Sequence, residues 1–305
     1  MSEQISPQKV EPKEKNRIVG GMLYLVATPI GNLADLSDRA KKVLSEVSFI
    51  AAEDTRNAIK LLNFFGIRKE IISYYEHNRR QRGPQILERL QSGESCALVT
   101  DAGMPAISDP GSDMVKLCAD ASVPVTVVPG CCAAVTALAL SALPTTRFAF
   151  EGFLPVDGKE RKLRFEEIHA ERRTMIFYEA PHKLVMTLHD LYHTFGDRKI
   201  SICRELTKIN EEIMRTTLSA AISYYTTEKP RGEYVLILEG AEAFGLPTEK
   251  EAPSPLLCLS PEEKVAYLIR EQGLSRMEAI KVAAKEMGIS KSELYKTLCH
   301  HDENE

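Results

Sequence analysis

Between Met22 and Ala137 the chain changes hydrophobic period repeatedly. Short runs of strand-forming residues alternate with segments whose apolar positions recur at helical spacing, and only brief turn-forming stretches separate them. Met22 to Ala27, Ser48 to Ala52, Glu70 to Tyr74, Cys96 to Thr100 and Val125 to Val128 read as strands. Ser37 stands where an N-cap belongs, and Ala40, Val43, Leu44 and Val47 follow it at helical intervals. Asp54 opens a segment carrying Ile59, Leu62 and Phe65, which Gly66 ends. Ile86, Leu87 and Leu90 mark a further helix, Met114 to Cys118 another, and an Ala-rich helix runs from Gly130 until Pro144 stops it. Strands separated by helices need crossover connections, which suit parallel pairing. Residues 21–143 are therefore predicted to be an α/β domain built on a mostly parallel sheet covered on both faces.

A second alternating unit is predicted over 144–241. Its strands are Phe148 to Phe153, Thr174 to Tyr178, Ile200 to Cys203, Glu212 to Thr217 and Tyr234 to Leu238, with helices around Lys162 to Ala170 and Lys183 to Phe195. The hairpin-like stretch Glu211 to Leu218 predicts mixed strand order there. Residues 1–20 are polar and broken by Pro7 and Pro12, as in a flexible tail; 242–259 contain Pro247, Pro253 and Pro255 and read as a linker. In 260–305 the pairs Ser260/Glu263, Ser275/Glu278 and Ser290/Glu293 have capping-box spacing, and Gly273 and Gly288 fit helix ends. Three short helices follow, the last two joined by a turn of helix-turn-helix length.

With 44% hydrophobic residues the 305-residue chain has enough apolar material for these cores. Its 39 basic and 43 acidic side chains give a formal charge of −4, so any polyanion must meet local basic groups rather than a basic protein. Arg79-Arg80-x-Arg82 and the group Lys159, Arg161, Lys162 and Arg164 are the candidates. No apolar run approaches the ~18 residues of a membrane span, and the first residues lack a signal-peptide core, so a cytoplasmic protein without a membrane partner is expected. The seven cysteines are scattered without CxxC spacing and read as reduced thiols, with no metal expected. Phosphate-loop, dinucleotide-fingerprint, HExxH and GxSxG motifs are missing from the sequence.

Unusual residues gather instead where predicted strands end, the place where open α/β sheets bind ligands. Asp101 to Gly111 is a long turn-forming stretch with paired Asp-x-Gly and Asp-Pro-Gly elements. Val128-Pro129-Gly130-Cys131-Cys132, Thr28-Pro29-Ile30-Gly31-Asn32 and Glu53-Asp54-Thr55-Arg56 end three other strands. Tyr178 to Lys183 and Arg204 to Lys208 do the same in the second unit.

Taken together, VATPIGNLADLSDRA, EDTR, LVTDAGMPAISDPG, VPGCCA, EAPHK and RELTK resemble the 16S rRNA (cytidine-2′-O)-methyltransferases of the tetrapyrrole methylase superfamily, from Met22 to about Gly240. The resemblance implies two α/β domains with S-adenosylmethionine in the cleft between them, and a homodimer. It also implies a cytidine in the decoding centre of 16S ribosomal RNA as substrate, met in the small ribosomal subunit, with no DNA partner. Carried onto this sequence, it marks Pro29, Asp101, Gly103, Pro105, Ile107, Ser108, Gly130, Cys131, Cys132, Ala180 and Thr207 as cofactor-binding. Met104 and Cys131-Cys132 depart from the Thr and Pro-Ser common in relatives. A ribose hydroxyl is a weak acid, so Glu205 or Glu179 is a candidate proton acceptor, and Lys208 or Arg56 a candidate ribose-phosphate ligand. Two alternatives stay open at this point: a methyltransferase of corrin-type small molecules, and a cofactor-sensing regulator that binds nucleic acid without modifying it.

Overall fold

The computed structural model describes residues 16–241, 260–272, 274–286, 290–291, 294 and 298. Contacts group the chain into two units, Met1–Phe244 and Gly245–Glu305.

The first unit holds two sheets. β1 (Leu23–Val26), β2 (Phe49–Ala52), β3 (Glu70–Ser73), β4 (Cys96–Val99) and β5 (Val125–Val128) form a fully parallel sheet in the order β3-β2-β4-β1-β5. Strand alternation divides its side chains between two cores. Tyr24, Val26, Ile50, Ala52, Ala97 and Val99 face Ala40, Val43 and Leu44 of α1 (Asp38–Glu46) and Ala58 and Leu62 of α2 (Thr55–Phe64). Leu23, Phe49, Ala51, Cys96 and Leu98 face Ile86 and Leu90 of α3 (Arg79–Gln91) and Met114 and Cys118 of α4 (Ser112–Asp120). Because both faces are covered, the central strands read as unbroken apolar runs rather than as alternating ones. Ser37 and Asp54 cap α1 and α2 through side-chain oxygens that accept from Ala40 and Arg56 amides.

The second sheet has β6 (Phe148–Phe153), β7 (Thr174–Glu179), β8 (Lys199–Arg204), β9 (Glu212–Thr217) and β10 (Tyr234–Leu238) in the order β6-β7-β10-β8-β9. Only β6 and β7 run parallel; the other pairs are antiparallel, which gives the mixed order. One face packs on α6 (Gly158–Ile168), α7 (Leu184–Phe195) and α8 (Leu218–Thr227) through Phe165, Leu188, Leu191, Leu218 and Tyr225. The other face is covered by a helix that follows the first sheet. Ala134, Ala137 and Leu138 of α5 (Ala133–Leu140) pack against Ile176, Cys203, Val235 and Ile237. The expected boundary at Pro144 thus falls after a helix that already belongs by packing to the second sheet.

The sequence pattern missed α8. Tyr224-Tyr225-Thr226-Thr227 favours strand by propensity, yet Leu218, Ala221 and Tyr225 are buried at helical spacing and the Thr217 hydroxyl accepts from the Ala220 amide to start the helix. In the second unit α9 (Pro261–Gln272) and α10 (Arg276–Glu286) pack through Val265, Leu268, Ile280 and Ala283, joined by Leu294 and Leu298. The Ser275/Glu278 capping box forms, with the Ser275 amide donating to Glu278 at 3.1 Å and the Glu278 amide to Ser275 at 3.4 Å. The side chains of Glu263 and Glu293, Gly273, Gly288 and the turn 287–289 lie outside the described residues. So do residues 1–15 of the expected tail and the 242–259 linker.

Candidate functional site

Strand order explains why the marked loops meet. β2, β4, β1 and β5 are neighbours in that sequence, and parallel pairing puts all their carboxyl ends on one edge. The loops after β1 and β4 are tied by a two-residue bridge, in which the Thr28 amide donates to Gly103 at 2.9 Å and the Gly103 amide to Thr28 at 3.1 Å. Gly103 supplies the positive φ (89°) that this bridge requires, and Ala106 (69°) and Ser108 (63°) lie in the left-handed region without being glycine. Such backbone strain costs of order 1–3 kcal/mol per residue and persists where the surroundings hold it. At Gly130 a Cβ would come within 2.9 Å of Ala27, so the loop after β5 closes directly on the end of β1.

The facing wall comes from the second sheet: residues 178–182 after β7, 205–208 after β8 and 233–235 at the start of β10. Between the walls lies a cavity of about 560 Å³, within the range of small-molecule sites. Of the residues marked from sequence, Asp101, Gly103, Ile107, Ser108, Cys132, Glu179, Ala180, Glu205 and Lys208 line it. Pro29 lines a smaller neighbouring cavity that shares Asp101. Pro105, Gly130, Cys131, Thr207 and Arg56 line neither. Pro105 is buried beneath the loop, and Cys131 points its sulfur at the Asp35 carbonyl, 3.9 Å away. Thr207 packs against Gly31 with its hydroxyl buried and unpartnered. Arg56 is 84% exposed and held by Asp54 at 2.6 Å.

Several lining residues were not marked from sequence. Asp109 sits at the end of the long loop, Glu233 just before β10, and Phe153 beyond an irregularity in β6 pairing between Phe150 and Gly152. The glycine in FEGF, at φ 63°, was the available signal for that last feature.

The two walls differ in charge. On the first, Glu53 accepts from the Thr100 hydroxyl at 2.7 Å and Asp101 from the Asn57 amide at 2.9 Å. Burial pushes the Asp109 carboxyl up to about 6, partly opposed by the Thr100 hydroxyl and reinforced by Glu53 and Asp101. Among the described residues no salt bridge reaches these three. On the second wall Lys208 donates to Glu205 at 2.9 Å and to Glu233 at 2.8 Å, and among the described residues it is the only Lys or Arg lining the cavity. Burial works against the Lys208 charge, but the two carboxylates outweigh it and hold its pKa above the usual lysine value. For Glu205 burial acts upward, while Lys208 and the Glu233 amide prevail and keep it below the usual carboxylate value. Glu179 is 4% exposed and committed at both oxygens, to the Ala180 amide at 2.8 Å and the Thr187 hydroxyl at 2.5 Å. That hydroxyl in turn accepts from Arg161 at 2.9 Å. The Tyr178 hydroxyl is pushed up to about 12, chiefly by burial, and accepts from the Ala134 amide at the start of α5.

Comparison with known proteins follows this geometry. The tetrapyrrole (corrin/porphyrin) methylase family matches residues 22–222. A ribosomal RNA small subunit methyltransferase I of Halalkalibacterium halodurans is 44% identical over 289 residues, 94% of this chain and 98% of its own length. Its namesake in Escherichia coli O157:H7 is 42% identical, covering 90% and 94%. That of Thermotoga maritima is 44% identical over 222 residues, which are 73% of this chain but all of that protein. Among solved structures, uroporphyrin-III C-methyltransferase of Thermus thermophilus complexed with S-adenosyl homocysteine aligns with TM-score 0.51 at 18% identity, covering 73% of this chain and 99% of that one. A cobalt precorrin-4 methyltransferase aligns with TM-score 0.53 at 15% identity, covering 76% and 98%. At these identities the solved structures establish the fold.

Proposed function

This chain belongs to the tetrapyrrole methylase family, among the ribosomal RNA small subunit methyltransferases I, and from that premise we propose its reaction. It transfers a methyl group from S-adenosylmethionine to the ribose 2′-hydroxyl of a cytidine in the decoding centre of 16S ribosomal RNA. The observation that carries this is the two-sided polarity of the cavity. Glu53, Asp101 and Asp109, unpaired with any cation among the described residues, suit a positively charged cofactor, and Lys208 faces them from the other wall. The cofactor, when bound, supplies an electrophilic methyl group on a sulfonium; the protein's share is alignment and electrostatics.

Asp101, Gly103, Ile107, Ser108, Cys132 and Ala180 would hold the cofactor directly. Pro105, Gly130, Cys131, Pro29 and Thr207 would shape the loops that do so. Lys208 is the group best disposed to stabilise negative charge developing on the hydroxyl oxygen, and Glu205 and Glu233 fix its position. The proton the hydroxyl gives up passes to solvent water, because Glu179 is bonded at both oxygens and Glu205 is tied to Lys208. Glu179 acts through its bonds to Thr187 and Ala180, and Arg56 as a surface contact for ribose-phosphate. The same proposal includes a cytoplasmic homodimer acting on the small subunit. No helix among the described residues is long and apolar enough to cross a membrane.

The test is transfer of labelled methyl from S-adenosylmethionine to unmethylated small ribosomal subunits, followed by nucleoside analysis. The expected product is 2′-O-methylcytidine. Label on another nucleoside, or on a corrin alone, would sink the proposal.

Asp109 gives a second expectation. It is half protonated near pH 6, and a bound cation favours its ionised form. Cofactor affinity should therefore rise about three- to tenfold from about pH 5 to about pH 7 and level off above. Glu53, Asp101 and Tyr178 line the same cavity. Asp109→Asn should bind more weakly and flatten the profile in calorimetric titrations at stepped pH. A flat wild-type profile contradicts it.

A further inference from the structure

The cavity is lined by six carboxylates, Glu53, Asp101, Asp109, Glu179, Glu205 and Glu233, against one lysine. A ribose can enter such a site, but the phosphates of the flanking nucleotides are repelled by it and need cations outside. The basic stretches marked from sequence differ in what they have left to offer. In the 159–164 group, Arg161 is buried against Asp190 and Thr187, Arg164 is held by Glu151 and Glu167, and Lys162 lies 3.9 Å from Glu166, which leaves Lys159 as its exposed cation without a salt bridge among the described residues. In the other, Arg79 is taken by Glu76 at 2.7 Å with Asp113 close by. Arg80 is exposed, and among the described residues no carboxylate pairs with it.

Arg80 stands in the first turn of α3, a few residues after two exposed aromatic rings. Tyr75 is 40% exposed, and His77 meets it edge-on with centroids 6.2 Å apart. The segment that presents them is built rather than loose. The Asn78 side chain accepts from the Tyr75 amide at 2.9 Å and donates to the Ser73 carbonyl and hydroxyl at 3.2 and 3.1 Å. Tyr74 anchors it from below, its buried ring donating a hydroxyl to Asp113 at 2.7 Å. Its place in the sheet is also informative. Ser73 pairs with Ala52, so this loop leaves the same edge as Glu53, one strand spacing of about 4.8 Å further out from the cavity. An exposed aromatic held in place by side-chain bonds, on the same short segment as an arginine that no carboxylate pairs with among the described residues, is the composition with which proteins hold single-stranded RNA, the ring stacking a base and the guanidinium meeting a phosphate.

We propose that the β3–α3 loop is the docking platform for single-stranded RNA flanking the methylated nucleotide, with one base stacked on Tyr75, His77 at its edge and a phosphate on Arg80. This rests on the rRNA methyltransferase function proposed above. The test measures KM and kcat on unmethylated small subunits, and binding of a short fluorescent single-stranded RNA across a salt series, for wild type, Tyr75→Ala, Tyr75→Phe and Arg80→Gln. Tyr75→Ala should raise KM and weaken RNA binding about tenfold with kcat within about twofold, while Tyr75→Phe, which keeps the stacking face, stays near wild type. Arg80→Gln should lower the slope of log affinity against log salt by about 0.7. An active wild type with Tyr75→Ala unchanged in both assays overturns the platform alone. Impairment on assembled subunits with wild-type binding of free RNA would mean that the loop meets a protein of the subunit, and also overturns it. A wild type that neither binds nor methylates RNA brings down the proposed function and the platform with it.

Discussion

Lys208→Met should reduce methyl transfer to RNA by about 100- to 1000-fold in single-turnover measurements, with cofactor affinity changed less than about threefold. Among the described residues the cavity offers no other Lys or Arg to meet negative charge appearing on an attacking oxygen. Its two carboxylate partners already hold the ammonium charged and aimed, so nothing need reorganise when that charge develops. Glu205 sits below the usual carboxylate range and is bonded to Lys208, which makes it a weak proton acceptor and a good positioning residue. Lys208→Arg should recover only a small part of the loss, because a planar fork cannot occupy the position of a compact ammonium between Glu205 and Glu233. Thermal melting separates this from misfolding; Glu233 is 80% exposed and remains solvated when its partner goes. Turnover within threefold of wild type would remove Lys208 from the chemistry.

The second large effect is expected at a residue with no side chain. Gly31→Ala should lower kcat/KM about 100-fold, whereas Gly158→Ala, whose new methyl meets nothing within 4 Å, should be neutral. A Cβ on Gly31 would lie 2.4 Å from Lys208 Cγ, 2.8 Å from Thr207 Oγ1 and 3.0 Å from the Leu206 carbonyl. None of these is the free end of a flexible chain. Glu205 (φ 50°) and Thr207 (φ 65°) already hold left-handed conformations, so the segment cannot give way without abandoning them. The loop after β1 and the loop after β8 therefore fit each other at this point, and displacing one by about 1 Å moves Lys208 relative to the opposite wall. Wild-type kinetics in Gly31→Ala would show that the fit is incidental.

The parallel sheet was legible because its helices and strands carry different periods and because Ser37 and Asp54 announce helix starts. The edge where its candidate loops gather was legible because Gly, Pro and Asp recur where its strands end. What sequence withheld is pairing at a distance. Glu179 looks like a free acid beside a strand end until Thr187 and, behind it, Arg161 come to occupy it. Arg56 looks available until Asp54 folds back onto it. Asp109 shows in the sequence only as part of an Asp-Pro-Gly turn; its raised pKa is produced by burial, by Glu53 at the end of β2 and by Asp101 at the start of its own loop. α8 was hidden by tyrosines and threonines whose propensity yields to the cover that the second sheet requires.

The crossing of α5 also has a meaning in time. During synthesis the first sheet is complete once β5 emerges, but α5 has been made without the surface on which it lies. That surface includes β10, the last strand of the unit and the one set between β7 and β8. Roughly a hundred residues separate the end of α5 from the end of β10, so at about 5–20 residues per second the ribosome needs some 5–20 s to deliver it. Through that interval Ala134, Ala137 and Leu138 lack the part of their cover that Val235 and Ile237 supply. The second sheet is continuous only once β10 stands between β7 and β8.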